Sequence, residues 1–417
     1  MPTLETQRAI DAVWRIESAR LIAGLTRMVH DVGLAEELAQ DALVAALEQW
    51  PESGVPDNPG AWLMAIAKRR AIDMFRRRET LTRKVTEIGR DLETAELPTA
   101  EPDFDAIHSN ISDDLLRLVF ISCHPVLSTE ARVALTLRLL GGLTTDEIAR
   151  AFLTPEATIA QRIVRAKKTL AQKKIPFEVP AASELEERLA SVLEVVYLVF
   201  NEGYAATGGD DWMRPGLCED AMRLGRILAE LVPKEPEAHG LIALMEIQAS
   251  RARARTTSDG TPVLLNDQDR SRWDQLLIRR GLTALERAAE LGQPMGPYVL
   301  QAEIAACHAR ARTPEETDWV RIAALYARLV QLVPSPVVEL NRGVALSMAF
   351  GPEAGLKVVD ELVDEPSLRN YHLLPSVRGD LLAKLGRAEE ARAEFERAAG
   401  LTRNERERAL LLKRAAE

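Results

Sequence analysis

Cysteine is scarce in this chain, and no paired cysteine motif occurs. Among 417 residues only Cys123, Cys218 and Cys307 are cysteines, and they lie far apart. That spacing excludes a disulfide framework or a paired zinc motif and points to a reduced, cytoplasmic setting. Cys123 and His124 are neighbours without further ligands beside them, so Cys123 is expected to be buried in a helix rather than to hold a metal. Long apolar runs are also missing: none reaches the roughly 20 residues that a membrane span needs. The first residues, "MPTLETQRAIDAVW", lack a basic segment followed by an apolar core, so no signal peptide is expected. No convincing alternation of apolar and polar residues marks a strand. Phosphate loops, metal-ligand sets and paired catalytic groups are absent too. The expectation is a non-enzyme that uses no cofactor and meets no membrane.

What is present is helix. Apolar residues recur at three and four along most of the chain, giving an all-α reading. With 47% hydrophobic and 28% charged residues the composition is that of a globular protein, and the length implies two or three domains. Helices are predicted from about Thr6 to Val32, Leu34 to Trp50 and Asn58 to Arg78, and again from Asp113 to about Lys174.

Charge is unevenly placed. The formal net charge is -10, yet residues 61–90 hold nine basic and three acidic residues. Residues 91–114 hold eight acidic and no basic ones, and residues 150–174 hold seven basic and one acidic. Two basic islands thus flank an acidic stretch with two prolines, the expected linker. The mean charge argues against a nucleic-acid partner, but the local distribution argues for one.

The second basic island reads as a helix-turn-helix. In "LTTDEIARAFLTPEATIAQRIVRAKKTL", Thr144 and Glu147 are spaced as a capping box. Thr154 is expected to cap a second helix with Pro155 at its first position. Ile159, Ile163, Ala166 and Leu170 share one face and should point into a core. The opposite face carries Ala157, Gln161, Arg165 and Lys168, with Thr158 and Arg162 beside them. A small residue, an amide and cations suit a major groove: Gln pairs with adenine, Arg with guanine, Lys with phosphate.

The first island is "WLMAIAKRRAIDMFRRR" (Trp62 to Arg78), with six cations and one anion. Arg69 and Arg76 share a face, as do Arg70 and Arg77, and Lys68 and Arg78 widen the patch. Asp73, four residues from both Arg69 and Arg77, is expected to pair with one of them. Such a row suits phosphates.

Together with "GLAEELAQDALVAALEQWPESGVPDNPGAW" before it, this island resembles region two of an extracytoplasmic-function (ECF) RNA polymerase sigma factor. Leu143 to Leu170 resembles the region-four helix-turn-helix of the same class. "DDLLRLVFISCHP" and "FNEGYAATGG" resemble a subgroup with a tetratricopeptide-like C-terminal extension. The resemblance implies core RNA polymerase and promoter DNA as partners. It places polymerase contacts on Glu36, Glu37, Gln40 and Asp41. It makes residues 51–60 a loop that captures a flipped base, with Asp57 and Asn58 reading it; Trp62 at the helix start either stacks on the base or, as is commoner for such a Trp, packs in the core. It assigns Lys68, Arg69, Arg70, Arg76 and Arg77 to the −10 element and the helix-turn-helix face to the −35 element. The acidic linker would thread basic polymerase channels or serve as a solvated tether.

The implied domains are 6–80 (region two), 81–111 (linker), 112–175 (region four) and 184–417. The last carries helix pairs. Gly379, Ala391, Phe395 and Ala398, at offsets of 0, 12, 16 and 19, resemble the small and aromatic positions of a tetratricopeptide repeat. An earlier unit matches through Arg342-Gly343 against Arg378-Gly379, and more loosely with Gly355 where Ala391 sits and Val359 where Phe395 does. Two further pairs are expected around Glu237 to Leu291 and Pro297 to Leu332, the first interrupted by "ARTTSDGTPVLLNDQD". Such repeats bind a protein or peptide, and here would regulate activity. In "YLVFNEGYAATGGDDW", Glu202 beside Tyr204 permits a catalytic reading, with Asn201, Asp210 and Asp211 close by. The glycines more simply end a helix and turn the chain. Two functions remain open: a promoter-specificity subunit with a repeat domain, or a stand-alone helix-turn-helix regulator whose repeats sense a ligand or peptide.

Overall fold

Capping and apolar periodicity set where the helices begin and end. A computed structural model describes residues 4–88, 111–152, 154–204, 214–257, 263–402 and 405–416. Most of the expected acidic linker, Asp210 and Asp211 lie outside the described residues, as does the side chain of Arg78. Among the described residues there is no β-strand.

The first compact unit covers residues 1–195. It holds helices α1 (Leu4–Val29), α2 (Val32–Ser53), α3 (Pro59–Ile88), α4 (Ile111–Ser122), α5 (Thr129–Leu139), α6 (Thr145–Ala151) and α7 (Glu156–Gln172). The α1–α2 break comes earlier than the periodicity suggests. His30 takes a left-handed φ of 54°, and the Asp31 side chain accepts from the Leu34 amide at 2.8 Å to cap α2. Helix α3 continues to Ile88, past the expected domain edge at residue 80. α1 packs against α2 and α3 and also against α4 and α5. Ile10, Ile22 and Leu25 of α1, Trp50 of α2, Leu63 of α3, and Leu118 and Phe120 of α4 are all fully buried.

Helix α8 (Ala182–Tyr204) contains the boundary between the two compact units, at Val195–Val196. Its first half belongs to the first unit. Arg188 donates to the Phe120 carbonyl at 2.9 Å, and the Ser191 hydroxyl donates to the Cys123 carbonyl at 2.7 Å.

The second unit covers residues 196–417 and is a run of helices. These are α9 (Pro215–Leu231), α10 (Pro236–Ala249), α11 (Gln275–Glu290), α12 (Pro297–Arg310), α13 (Trp319–Leu332), α14 (Pro336–Phe350), α15 (Pro352–Glu361), α16 (Leu373–Lys384), α17 (Ala388–Leu401) and α18 (Glu405–Ala416). Each of the four expected pairs (α10 with α11, α12 with α13, α14 with α15, α16 with α17) packs together. Small residues permit this. A Cβ on Gly379 would sit 3.0 Å from the Phe395 ring and 3.2 Å from the Ala391 carbonyl. A Cβ on Gly355 would lie 2.5 Å from Ser347 Cβ and 2.6 Å from the Gly343 carbonyl. Phe395, Ala391 and Ala398 are buried in one apolar cluster, as their spacing predicts. The polar insertion between α10 and α11 is closed at its base, where the Asp274 amide donates to the Ser250 carbonyl at 2.9 Å.

Candidate DNA and polymerase interface

On α3 the cations are mostly presented to solvent. Arg69, Arg76 and Arg77 are exposed, whereas Lys68 and Arg70 are half-buried. Arg70 Nη1 lies 3.1 Å from Asp41 Oδ1, tying α3 to α2. Asp73, expected to pair with Arg69 or Arg77, pairs with neither. An exposed intrahelical pair gains at most about 0.5 kcal/mol, too little to immobilise two long side chains. Arg70 is thus braced by a residue of another helix, and Asp73 neutralises neither Arg69 nor Arg77.

The loop before α3 places Asp57 and Asn58 in solvent. Asn58 Oδ1 accepts from the Ala61 amide at 3.0 Å, a cap that satisfies one orphan donor at the helix start. Trp62 is half-buried and meets the buried Trp50 edge to face, with ring centroids 5.3 Å apart. One edge of Trp62 thus packs against Trp50, and part of its ring stays open.

In the helix-turn-helix both halves of the capping box form. Glu147 N donates to Thr144 Oγ1 at 3.1 Å, and Thr144 N to Glu147 Oε2 at 2.8 Å. Burial works against the Glu147 carboxylate, but the Thr144 backbone, the Thr144 hydroxyl and Arg15 outweigh it and hold its pKa below the ordinary value. The second cap differs from the expectation. Pro155, not Thr154, is the N-cap of α7, and no side chain caps the helix. The Thr154 hydroxyl instead donates to the Phe152 carbonyl at 3.0 Å, closing the turn. The faces fall as the spacing predicts: Ile159, Ile163, Ala166 and Leu170 are buried. Ala157, Gln161, Arg165 and Lys168 are exposed, with Thr158 and Arg162 half-buried.

The four α2 residues diverge. Glu37 and Asp41 are exposed and Gln40 is half-buried, but Glu36 is only 3% exposed. Glu36 Oε1 accepts from Arg138 Nε of α5 at 2.6 Å and from Gln40 Nε2 at 2.6 Å. Glu36 Oε2 pairs with Lys167 of α7. Two further ion pairs cross between α1 and the later helices. Arg15 Nη2 lies 3.0 Å from Glu147 Oε1, and Arg27 Nε lies 3.2 Å from Asp114 Oδ2. Asp114, 2% exposed, has its pKa raised by burial, with Arg27 and Arg117 opposing that rise.

Sequence reasoning missed Arg15, Arg27, Arg138 and Lys167. One signal existed: Glu36 falls four residues after Val32 and three before Ala39, on the stripe that α2 buries.

The remaining sequence candidates are packed. Cys123 is buried just beyond α4, with Sγ 3.2 Å from Thr136 Oγ1, and burial raises its pKa. His124 Nδ1 accepts from the Val126 amide at 3.0 Å. Glu202 pairs with Arg214, and the Tyr204 ring lies stacked on Phe200 with the Arg255 guanidinium 3.7 Å from its centroid. Among the described residues no three His, Cys, Asp or Glu side chains are grouped to hold a metal, and no helix is long and apolar enough to cross a membrane.

A model of sigma-70 region 2 matches residues 16–80, and a model of sigma-70 region 4 matches residues 117–170. The chain belongs to the ECF sigma factors. A family of unknown function, DUF6596, matches residues 188–289 of this sigma factor's C-terminal extension. An uncharacterized protein of Rhizobium meliloti (strain 1021) is 45% identical over 392 residues, covering 94% of this chain and 91% of that one. The probable ECF RNA polymerase sigma factor SigI of Mycobacterium tuberculosis is 27% identical over 180 residues, 42% of this chain and 58% of its own. The ECF RNA polymerase sigma factor SigK of Mycobacterium sp. (strain KMS) is 28% identical over 161 residues, 37% and 77% respectively. A sigma factor directs transcription initiation, and its family binds core RNA polymerase and promoter DNA.

Proposed function

We propose that this sigma factor grips its promoter at two points and docks on polymerase through α2. Helix α3 holds the −10 strand through Lys68, Arg69, Arg76 and Arg77, with Arg70 braced by Asp41. Asp57 and Asn58 read a base displaced from the duplex, and Trp62 stacks on it from its seat against Trp50. Flipping a base costs a few kcal/mol, which such a pocket has to offset. Helix α7 reads the −35 element with Ala157, Thr158, Gln161, Arg162, Arg165 and Lys168. Glu36, Glu37, Gln40 and Asp41 meet the polymerase. The working boundaries are region two at 6–80, the linker at 81–111, region four at 112–175, and a regulatory repeat domain beyond that binds a protein or peptide.

The observation that carries this reading is the division of α7. Its apolar face is wholly buried while its amide-and-cation face is open, the arrangement a major-groove helix needs. The test is a promoter selection: core polymerase and the purified chain are incubated with a randomised DNA pool, and opened complexes are sequenced. Two conserved elements at fixed spacing support the reading, and enrichment without polymerase supports a stand-alone regulator.

A further inference from the structure

Helix pairing does not require the polar insertion between α10 and α11, yet the insertion gathers arginine. Residues 251–280 hold seven basic and four acidic residues, in a chain of net charge -10. Two short 3-10 turns, Ala252–Ala254 and Arg270–Arg272, lie one on each limb of the insertion and meet. Beside them opens a cleft of about 640 Å³, lined by Arg253, Ser271, Arg272, Trp273 and Asp274. That size suits a small-molecule ligand. We infer that this cleft binds a small molecule carrying an oxyanion, phosphate or carboxylate, through the Arg253 and Arg272 guanidiniums. The inference goes beyond the promoter reading and uses the second unit alone.

The first support is charge without a counter-charge. Arg253 and Arg272 are exposed, and among the described residues neither forms an ion pair. Behind them stands Trp273, only 4% exposed and packed with Ala254 and Ile278. Two more guanidiniums reach its ring, Arg270 at 5.1 Å and Arg251 at 6.0 Å from the centroid. Arg270 donates to the His308 and Ala311 carbonyls at 2.8 and 2.7 Å and to Thr317 Oγ1 at 3.0 Å. Arg251 donates to Gln248 Oε1 at 3.1 Å. These neutral acceptors fix the side chains and leave their charge uncompensated. The acid of the lining, Asp274, caps α11, its Oδ1 accepting from the Leu276 and Leu277 amides at 2.9 and 3.1 Å. Four cations around one indole repel one another, and an anion relieves that repulsion. The second support is unmet donors. Trp273 Nε1 and the Nε atoms of Arg251 and Arg270 are buried without a hydrogen-bond partner. All three are N–H donors, so their complement is an acceptor. Guanidinium forks match oxyanions in shape as well as charge, and a wall already held in place lowers the cost of binding.

The full chain is titrated by calorimetry with glucose 6-phosphate, with citrate and with a short polyglutamate peptide. One of the two small anions should bind saturably, and which one does separates a phosphate from a carboxylate ligand. The double variant Arg253→Gln, Arg272→Gln should weaken that binding about tenfold or more, the loss of two charge-assisted contacts. Cations on α3 and α7 also attract anions, so a charge-matched comparison is needed. Arg279→Gln, Arg280→Gln removes two exposed arginines of α11 outside the cleft lining and should leave the affinity unchanged. Circular dichroism checks that both variants fold. Hydrogen exchange on the wild-type chain gives a second reading that needs no variant: the bound anion should protect residues 270–278. No saturable binding of either small anion at millimolar concentration, equal affinity in the wild type and the cleft variant, equal loss in both variants, or protection confined to α3 or α7 overturns the site. Binding of the peptide alone overturns a small-molecule ligand and makes the cleft a protein-docking surface. None of these outcomes bears on promoter-specific initiation, so failure here and failure of the promoter reading are separate results.

Discussion

Glu36 and Arg138 meet at 2.6 Å across 102 residues of sequence. One lies on the helix that family resemblance gives to polymerase, the other on α5, within the stretch that matches region four. The pair shows that the two DNA-binding parts of this chain are not independent beads. Substitutions on α7 can therefore act on DNA through its exposed face and on this contact through Lys167.

The DNA effect is cleanest at Arg165, exposed and in no ion pair. Arg165→Ala should weaken binding to the selected promoter by about 1–3 kcal/mol and relax preference at one −35 base pair. Competition binding with holoenzyme on promoters varied at each −35 position checks this. Uniform weakening at every position would make Arg165 a phosphate contact.

Neutralising Arg69 and Arg76 together should reduce the slope of log affinity against log salt by about 1–2, since each lost phosphate contact removes close to one released counterion. A titration of promoter binding between low and moderate salt measures it. An unchanged slope would remove α3 from the DNA.

Much of this was legible beforehand, because local rules decide it. The Thr144 and Glu147 capping box, the two faces of α7, and the Gly379–Phe395 contact all follow from spacing of a few residues. What sequence missed is long-range or weak. The Arg70–Asp41 bridge joins two helices, and nothing near Arg70 in sequence announces it. The Asp73 pairing failed because an exposed i,i+4 pair gains too little to fix itself. Thr154 spent its hydroxyl on the Phe152 carbonyl, a choice that spacing alone does not reveal. Region-four cations that hold Glu36 have no sequence signature beyond Glu36's own place on a buried stripe.

Gly142 takes a φ of +70° and faces Ser18 Oγ at 2.9 Å from a would-be Cβ. Gly142→Ala should therefore destabilise the first unit by about 1–3 kcal/mol, combining the left-handed backbone cost with the close contact. Urea denaturation followed by circular dichroism gives the value. Gly400→Ala, with open space around it, serves as the tolerant comparison.

In the second unit, His308 is buried with its Nδ1 unpartnered and its ring edge against Trp319, centroids 5.0 Å apart. Burial, reinforced by Arg251 and Arg270, pushes its pKa from 6.5 down to about 4. The unfolded chain therefore binds the extra proton first. The neutral ring's contribution is complete above pH 6.5 and is lost as pH falls towards 4, amounting to about 3 kcal/mol. Denaturation across that window should show the slope in wild type and lose it in His308→Phe.

The regulatory role of the second unit is read by truncation, and the boundary matters. Ending the chain before α8 would also remove Ser191 and Arg188 from the first unit. A chain ending at Tyr204 keeps them. If the repeats regulate, its promoter-dependent transcription should differ from that of the full chain, and equal rates and equal core affinity would count against a regulatory domain.

The central claim is promoter-specific initiation, and in vitro transcription measures it most directly. Core RNA polymerase alone, core with the chain, and core with the chain lacking the Arg69 and Arg76 charges are supplied with the selected promoter. The account predicts a transcript with one fixed start only when the wild-type chain is present, and a marked loss with the charge-neutralised chain. Equal transcription with and without the chain would contradict it.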